Sequence, residues 1–228
     1  MKKTFVISLG GSIVAPKDGI DIKFLKEFKK LILKQAKRGH RFFIIIGGGA
    51  ICRKYNEAAK KMIKVSEEEL HWMGIHATWL NAYLVKIIFG KSAYEKIIKN
   101  PTLTVKTNKK IIIGGGWKPG WTTDFVATKL AEKNKAGTVI NLSNIDYVYT
   151  ADPKIYKNAK RIEKINWKDF KKIVGDDCDP SVHTPFDSVA TRLAEKLGIT
   201  VIIANGKKLK NLEDCLNGEK FKGTTIKN

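Results

Sequence analysis

Apolar positions along the chain follow two patterns. Short unbroken runs (Thr4 to Leu9, Phe42 to Ile46, Ile111 to Ile113, Thr138 to Leu142 and Thr200 to Ala204) have the length and side chains of strands buried on both faces. Between them, apolar residues recur at three- and four-residue steps. Asp21 is placed to cap a helix whose buried stripe is Ile22, Leu25, Phe28, Leu31 and Ile32, closing at Gly39. Helical spacing also covers residues 50–61, 68–89, 123–134, 166–174 and 186–197. Strands alternating with helices predict an α/β domain, with an open, mainly parallel twisted sheet sandwiched between helices. The turn at Lys135 to Gly137 divides this single domain into halves, residues 1–137 and 138–228.

Composition narrows the class. The longest mostly apolar run, Phe42 to Cys52, is 11 residues including three glycines, whereas a membrane-spanning helix needs about 18 or more. Lys2 and Lys3 before an apolar stretch imitate a secretory signal, but Gly10 and Gly11 interrupt it and no small-residue cleavage pattern precedes Pro16. Three separated cysteines (Cys52, Cys178 and Cys215) make neither a disulfide framework nor a zinc ribbon. The expectation is a cytoplasmic protein. The net charge of +21 suggests nucleic acid, yet the 43 basic residues include only five arginines, and the lysines are spread over every segment. A lysine-rich solvated face accounts for this better than a nucleic-acid footprint, and it also attracts small polyanions.

Three strands end in glycine: Gly10-Gly11-Ser12, Gly47-Gly48-Gly49 and Gly114-Gly115-Gly116. In a parallel sheet such turns lie at the carboxyl edge, where ligands bind. Glycine lets the main chain approach an anion, and free N–H groups then hold phosphate oxygens. One such turn means only a tight connection; three at three strand ends point to phosphate. Gly90-Lys91-Ser92 is not a P-loop, because Val85 stands where its first glycine belongs. His71 and His76 do not form a zinc-protease pair, and His40 and His183 stand alone, so no protein metal site is expected.

Six segments together resemble the amino-acid kinase superfamily, and within it the uridylate (UMP) kinases of the archaeal and bacterial type. They are GGSIV at 10–14, IGGGAICRKYNEAA at 46–59, GGGWKPGWTTD at 114–124, NLSNIDYVYTADPK at 141–154, TPFDSVATRLAEKLG at 184–198 and GTTI at 223–226. The resemblance implies the amino-acid kinase fold and transfer of a phosphoryl group from ATP to UMP with Mg2+. It assigns UMP to the first half and ATP to the second. Gly10, Gly11, Ser12, Arg53 and Asp187 would form the catalytic set. Gly48, Arg53, His71 and the run Gly116, Trp117, Lys118, Pro119, Gly120, Trp121, Thr122 and Thr123 would hold UMP. Gly10, Gly11, Ser12, Gly49, Ser143, Tyr149 and Asp152 would hold ATP, with Mg2+ carried by the nucleotide phosphates. A homo-oligomer, a hexamer built as a trimer of dimers, is the implied assembly.

The chain departs from the family pattern at two places. His71 stands where relatives usually have a ribose-gripping aspartate, and an imidazole cannot accept two hydrogen bonds from a diol. Ser8 occupies the place of a first-strand lysine found in many members, which leaves Lys118 and Lys154 as candidate replacements. Trp79, which replaces a frequent arginine, and Trp117 and Trp121 beside the acceptor loop suit either base stacking or packing. Besides UMP phosphorylation, three readings stay open: another small phosphate or carboxylate acceptor, a nucleotide binder without turnover, and a nucleic-acid binder resting on charge alone.

Overall fold

The computed structural model describes residues 2–153, 155–175 and 184–228. Its first half runs β1 (Thr4–Leu9), α1 (Gly11–Val14), α2 (Ile22–Lys37), β2 (Arg41–Ile46), α3 (Gly49–Met62), α4 (Glu67–Phe89), β3 (Ile111–Gly114) and α5 (Thr123–Lys133). The second half continues with β4 (Thr138–Ser143), β5 (Val148–Tyr149), β6 (Arg161–Ile162), β7 (Lys164–Ile165), α6 (Trp167–Val174), α7 (Ser188–Lys196), β8 (Thr200–Asn205), α8 (Leu209–Asn217) and β9 (Thr224–Ile226).

Seven of these strands form one sheet in the order β3-β2-β1-β4-β8-β9-β7, and β5 pairs with β6 apart from it. β3, β2, β1, β4 and β8 are parallel, and β9 runs antiparallel to β8. The chain builds outward from β1 through β2 to β3, then returns to lay β4 on the other side of β1. Strand order therefore reverses at the carboxyl ends of β1 and β4, which opens a crevice there.

Successive side chains on a strand face opposite ways, so each strand feeds two cores. Phe5, Ile7 and Leu9 join Phe42, Ile44 and Ile46 under α2, α4 and α8. Val6, Phe43, Ile45 and Val139 join Phe125, Leu130, Trp167, Phe170 and Ala190 under α5, α6 and α7. Covering both faces is why these strands read as continuous apolar runs. Ser8 is the polar exception in β1; it is buried and pairs in register with Asn141 of β4.

Most expected elements are present, with three differences. Asp21 does cap α2, accepting the Phe24 N–H at 2.9 Å, but Ile22 is 62% exposed and Phe24 joins the buried stripe instead. Three-residue steps precess by about 60° each, so Ile22 lies about 120° from Phe28 around the helix. β5, β6, β7, α8 and β9 go beyond the sequence pattern: the four strands have two or three residues each, and α8 buries only Leu212, Cys215 and Leu216 among polar neighbours. α1 is a single turn formed directly on the first glycine turn. No helix among the described residues is long and apolar enough to cross a membrane.

Candidate active site

Because β1, β2 and β3 are parallel, their glycine turns share one edge. The first two touch through their backbones. A Cβ on Gly11 would lie 2.1 Å from the Gly49 nitrogen and 2.5 Å from the Gly47 oxygen, so no side chain fits there. Gly49 also has φ +69, a conformation open mainly to glycine. Gly10 donates to Leu142 O at 2.8 Å, Gly47 to Leu9 O at 2.9 Å and Ala50 to Ala15 O at 3.2 Å. The N–H groups of Gly11, Ser12, Gly48 and Gly49 have no acceptor among the described residues. Arg53, exposed on the second turn of α3, has no ion-pair partner among them either. Four free donors thus lie on two touching turns, with Arg53 on the helix that leaves the second, an arrangement suited to phosphate oxygens.

The third turn is held differently. Gly116 donates its N–H to Thr78 Oγ1 at 2.7 Å, and its carbonyl accepts from Trp79 Nε1 at 2.8 Å. Both polar groups of Gly116 are therefore engaged by α4, and its contribution to a ligand is space. Beyond it, Trp117 and Trp121 lie 6.0 Å apart, Trp121 sits 3.9 Å from Phe125, and both tryptophans pack on the second core. The Lys118 ammonium lies over the Trp117 ring at 4.5 Å. Trp79 packs on the first core, with the Lys99 ammonium 4.0 Å from its ring. All three tryptophans are thus partly buried by packing. Pro119 and Gly120 form the tip of the loop, and Thr122 caps α5 by accepting the Phe125 N–H at 3.2 Å. Thr123 is the first residue of α5.

Below the turns, two helix N-termini meet. Asp187 caps α7 by accepting the Ala190 N–H at 2.7 Å, and it takes the Thr122 hydroxyl in a short hydrogen bond. Its own N–H supports the carboxylate of Asp124 in the first turn of α5. Ser8 Oγ donates to Asp124 Oδ1 at 2.9 Å, and Asn141 beside it donates to Pro185 O at 3.1 Å. Burial pushes the Asp124 carboxyl up to about 7, with the nearby Asp187 charge adding to the rise, against the hydrogen bonds from Ser8 and the Asp187 backbone. The sequence motifs point to Asp187 but not to Asp124, and they mark Ser8 only as a missing lysine. The available signal was polar Ser8 and Asn141 inside otherwise apolar strands.

On the other side of the crevice, Ser143 ends β4 next to the first turn, and its carbonyl accepts the Gly206 N–H at 2.8 Å. Tyr149 lies in β5 opposite Arg161, and the Asp152 carbonyl closes a turn by accepting from Ile155 and Tyr156 at 3.1 and 2.8 Å. His71 sits half-buried near the start of α4, and its side chain makes no hydrogen bond among the described residues. His40 accepts the Lys3 N–H at 3.2 Å, and His76 contacts the Trp72 carbonyl at 2.8 Å. Lys154, Cys178 and His183 lie outside the described residues. Burial pushes the Cys215 thiol up to about 12, which disfavours the reactive thiolate. Among the described residues, no group of three or more His, Cys, Asp or Glu could hold a metal ion.

Comparison with known proteins agrees with this geometry. The model of the amino acid kinase family matches residues 3–205. The chain is 34% identical to a uridylate kinase of Methanospirillum hungatei, covering 98% of this chain and 94% of that protein. It is 32% identical to a uridylate kinase of Methanobrevibacter smithii, covering 97% of each. The crystal structure of uridylate kinase from Archaeoglobus fulgidus superposes with a TM-score of 0.83 at 31% identity, covering 99% of this chain and 100% of that one. The chain belongs to the amino acid kinase family, on its uridylate kinase branch.

Proposed function

We propose that this protein transfers the γ-phosphoryl group of ATP to UMP, giving UDP and ADP. The observation that carries the reading is four unengaged backbone N–H groups (Gly11, Ser12, Gly48 and Gly49) on two touching glycine turns, with unpaired Arg53 on the helix that follows the second. Phosphoryl transfer needs two anions held in line and their spreading charge neutralised, more than it needs a nucleophilic side chain. The first turn touches the second turn on one side and the end of β4 on the other. A phosphoryl group passing between substrates bound on those two sides meets Gly10, Gly11 and Ser12.

In this reading residues 1–137 bind UMP through Gly48, Arg53, His71 and the loop from Gly116 to Thr123. Residues 138–228 bind ATP through Ser143, Tyr149 and Asp152, with Gly49 from the first half. Mg2+ would be held by the ATP phosphates and would neutralise part of their charge, and Asp187 would organise the basic groups around the γ-phosphate. The enzyme works in the cytoplasm, where both nucleotides are available.

We also propose a homo-oligomer, a hexamer built from dimers, with α4 at the dimer contact. Trp72, His76, Leu80, Tyr83 and Ile87 form an exposed stripe at helical spacing, with Leu80 59% and Ile87 67% exposed. Antiparallel packing on a second copy of α4 sets Glu67, Glu68 and Glu69 of each copy near Lys86 of the other, which favours that direction.

ADP release with Mg·ATP and each of UMP, CMP, AMP and GMP tests the function. Turnover with UMP supports it. No UMP-dependent ADP release from folded protein overturns it.

A further inference from the structure

α4 reaches the glycine turns through Asn81 as well as through Thr78 and Trp79. Asn81 is 2% exposed, and its Nδ2 donates to Gly47 O at 2.9 Å and to Gly48 O at 3.1 Å. A side-chain amide has two N–H donors, so one Asn81 engages both carbonyls. The described peptide bonds are all trans, and a trans peptide points its C=O and N–H in opposite directions. The Gly47 carbonyl shares its plane with the Gly48 N–H, and the Gly48 carbonyl shares its plane with the Gly49 N–H. Holding both carbonyls against α4 turns both N–H groups away from α4, and these two have no acceptor among the described residues.

We infer that Asn81 is a positioning residue for the transferred phosphates: it fixes two successive peptide planes so that the Gly48 and Gly49 N–H groups face the anion. The inference rests on the phosphotransferase reading. α4 is suited to the task, because a capping box formed by Ser66 and Glu69 secures its start and its buried face packs on the sheet. Without the amide, the Gly47–Gly49 turn has glycine's freedom to rotate, and the donors must be ordered at each binding event. A preorganised donor matters most where charge develops, so the loss should fall mainly on kcat.

The test compares the wild type with Asn81→Ala and Asn81→Asp. The second keeps the shape but sets a carboxylate against two carbonyls. Kinetics are taken well below each variant's melting temperature, with the folded state checked by circular dichroism. The expected result is a fall in kcat/KM of about 100-fold for Asn81→Ala, mostly in kcat, and a larger fall for Asn81→Asp. A purely structural role would lower the melting temperature and leave kcat and KM of the folded enzyme within threefold of the wild type, which overturns the proposal. A second measurement needs no variant: in 15N-labelled wild type, the Gly48 and Gly49 amide signals should shift when ATP or UMP is added. Binding that moves other signals and leaves these two in place also overturns it. If ATP and UMP shift both amides without turnover, the assignment to Asn81 stands and the phosphotransferase reading falls.

Discussion

The Ser8 hydroxyl donates to Asp124 Oδ1 at 2.9 Å, joining β1 to the first turn of α5 across 116 positions of sequence. At the place where the family resemblance implies a lysine, this chain has a neutral donor facing a carboxyl group. No cation among the described residues pulls the carboxyl down, and burial beside Asp187 pushes it up to about 7.

Asp124 makes stability depend on pH. Its folded value of about 7 lies above the ordinary 3.8, so folding favours the protonated form. The stability tied to that proton is fully present below about 3.8 and is lost as pH rises through about 7. Asp124→Asn removes the titration. Melting temperatures measured from pH 4 to 8 should show the wild type losing ground to the variant as pH rises; parallel curves would contradict this. Ser8→Ala removes a hydrogen bond to the ionised form and should move the wild-type inflection to higher pH.

Gly11→Ala places a Cβ 2.1 Å from the Gly49 backbone nitrogen. Backbone cannot give way as a flexible side chain does, so the two turns must part, at a cost of about 3 kcal/mol or more. A lower melting temperature together with loss of nucleotide-induced stabilisation is the expected outcome. A variant that melts like the wild type would mean the turns are not in contact.

Asp187 has two tasks that one pair of substitutions separates. Asp187→Ala removes the α7 cap and costs about 1 kcal/mol. Asp187→Asn keeps a capping oxygen and removes the charge. Turnover should fall at least tenfold in both, while the melting temperature drops clearly only in the alanine variant. Wild-type turnover in the asparagine variant would reduce Asp187 to a helix cap.

Arg53 is exposed and has no ion-pair partner among the described residues, so removing it should cost no measurable stability. Arg53→Ala should raise the KM for nucleotide by about tenfold or more at an unchanged melting temperature, because a forked charge contact to phosphate is lost. Arg53→Lys should recover only part of it. Unchanged kinetics would place Arg53 among the solvated surface charges.

Leu80→Glu sets a charge in the exposed stripe of α4, at a position 59% exposed. Light scattering coupled to size exclusion should show the wild type as an oligomer and the variant as a smaller species. A wild-type monomer, or an oligomer that Leu80→Glu leaves intact, would rule out this face as the contact.

What could be read from the sequence was whatever depends on neighbours along the chain. The apolar runs of β1, β2, β3, β4 and β8, the Asp21 cap and the three glycine turns are local signals, because strand and helix periodicity and glycine's freedom act within a few residues. The family motifs added candidate roles for Arg53, Asp187 and the 114–124 loop. Folding decided what depends on distant partners. Sequence did not reveal that Ser8 would meet Asp124, that Asn81 would take the carbonyls of Gly47 and Gly48 across 34 and 33 positions, or that α4 would engage both polar groups of Gly116. Nor did it reveal that Trp79 would pack against one core and Trp117 and Trp121 against the other. Hydrogen bonds and van der Waals contacts reach only a few ångströms, so the partner of a buried polar group exists only once the sheet order and helix layers have brought it there.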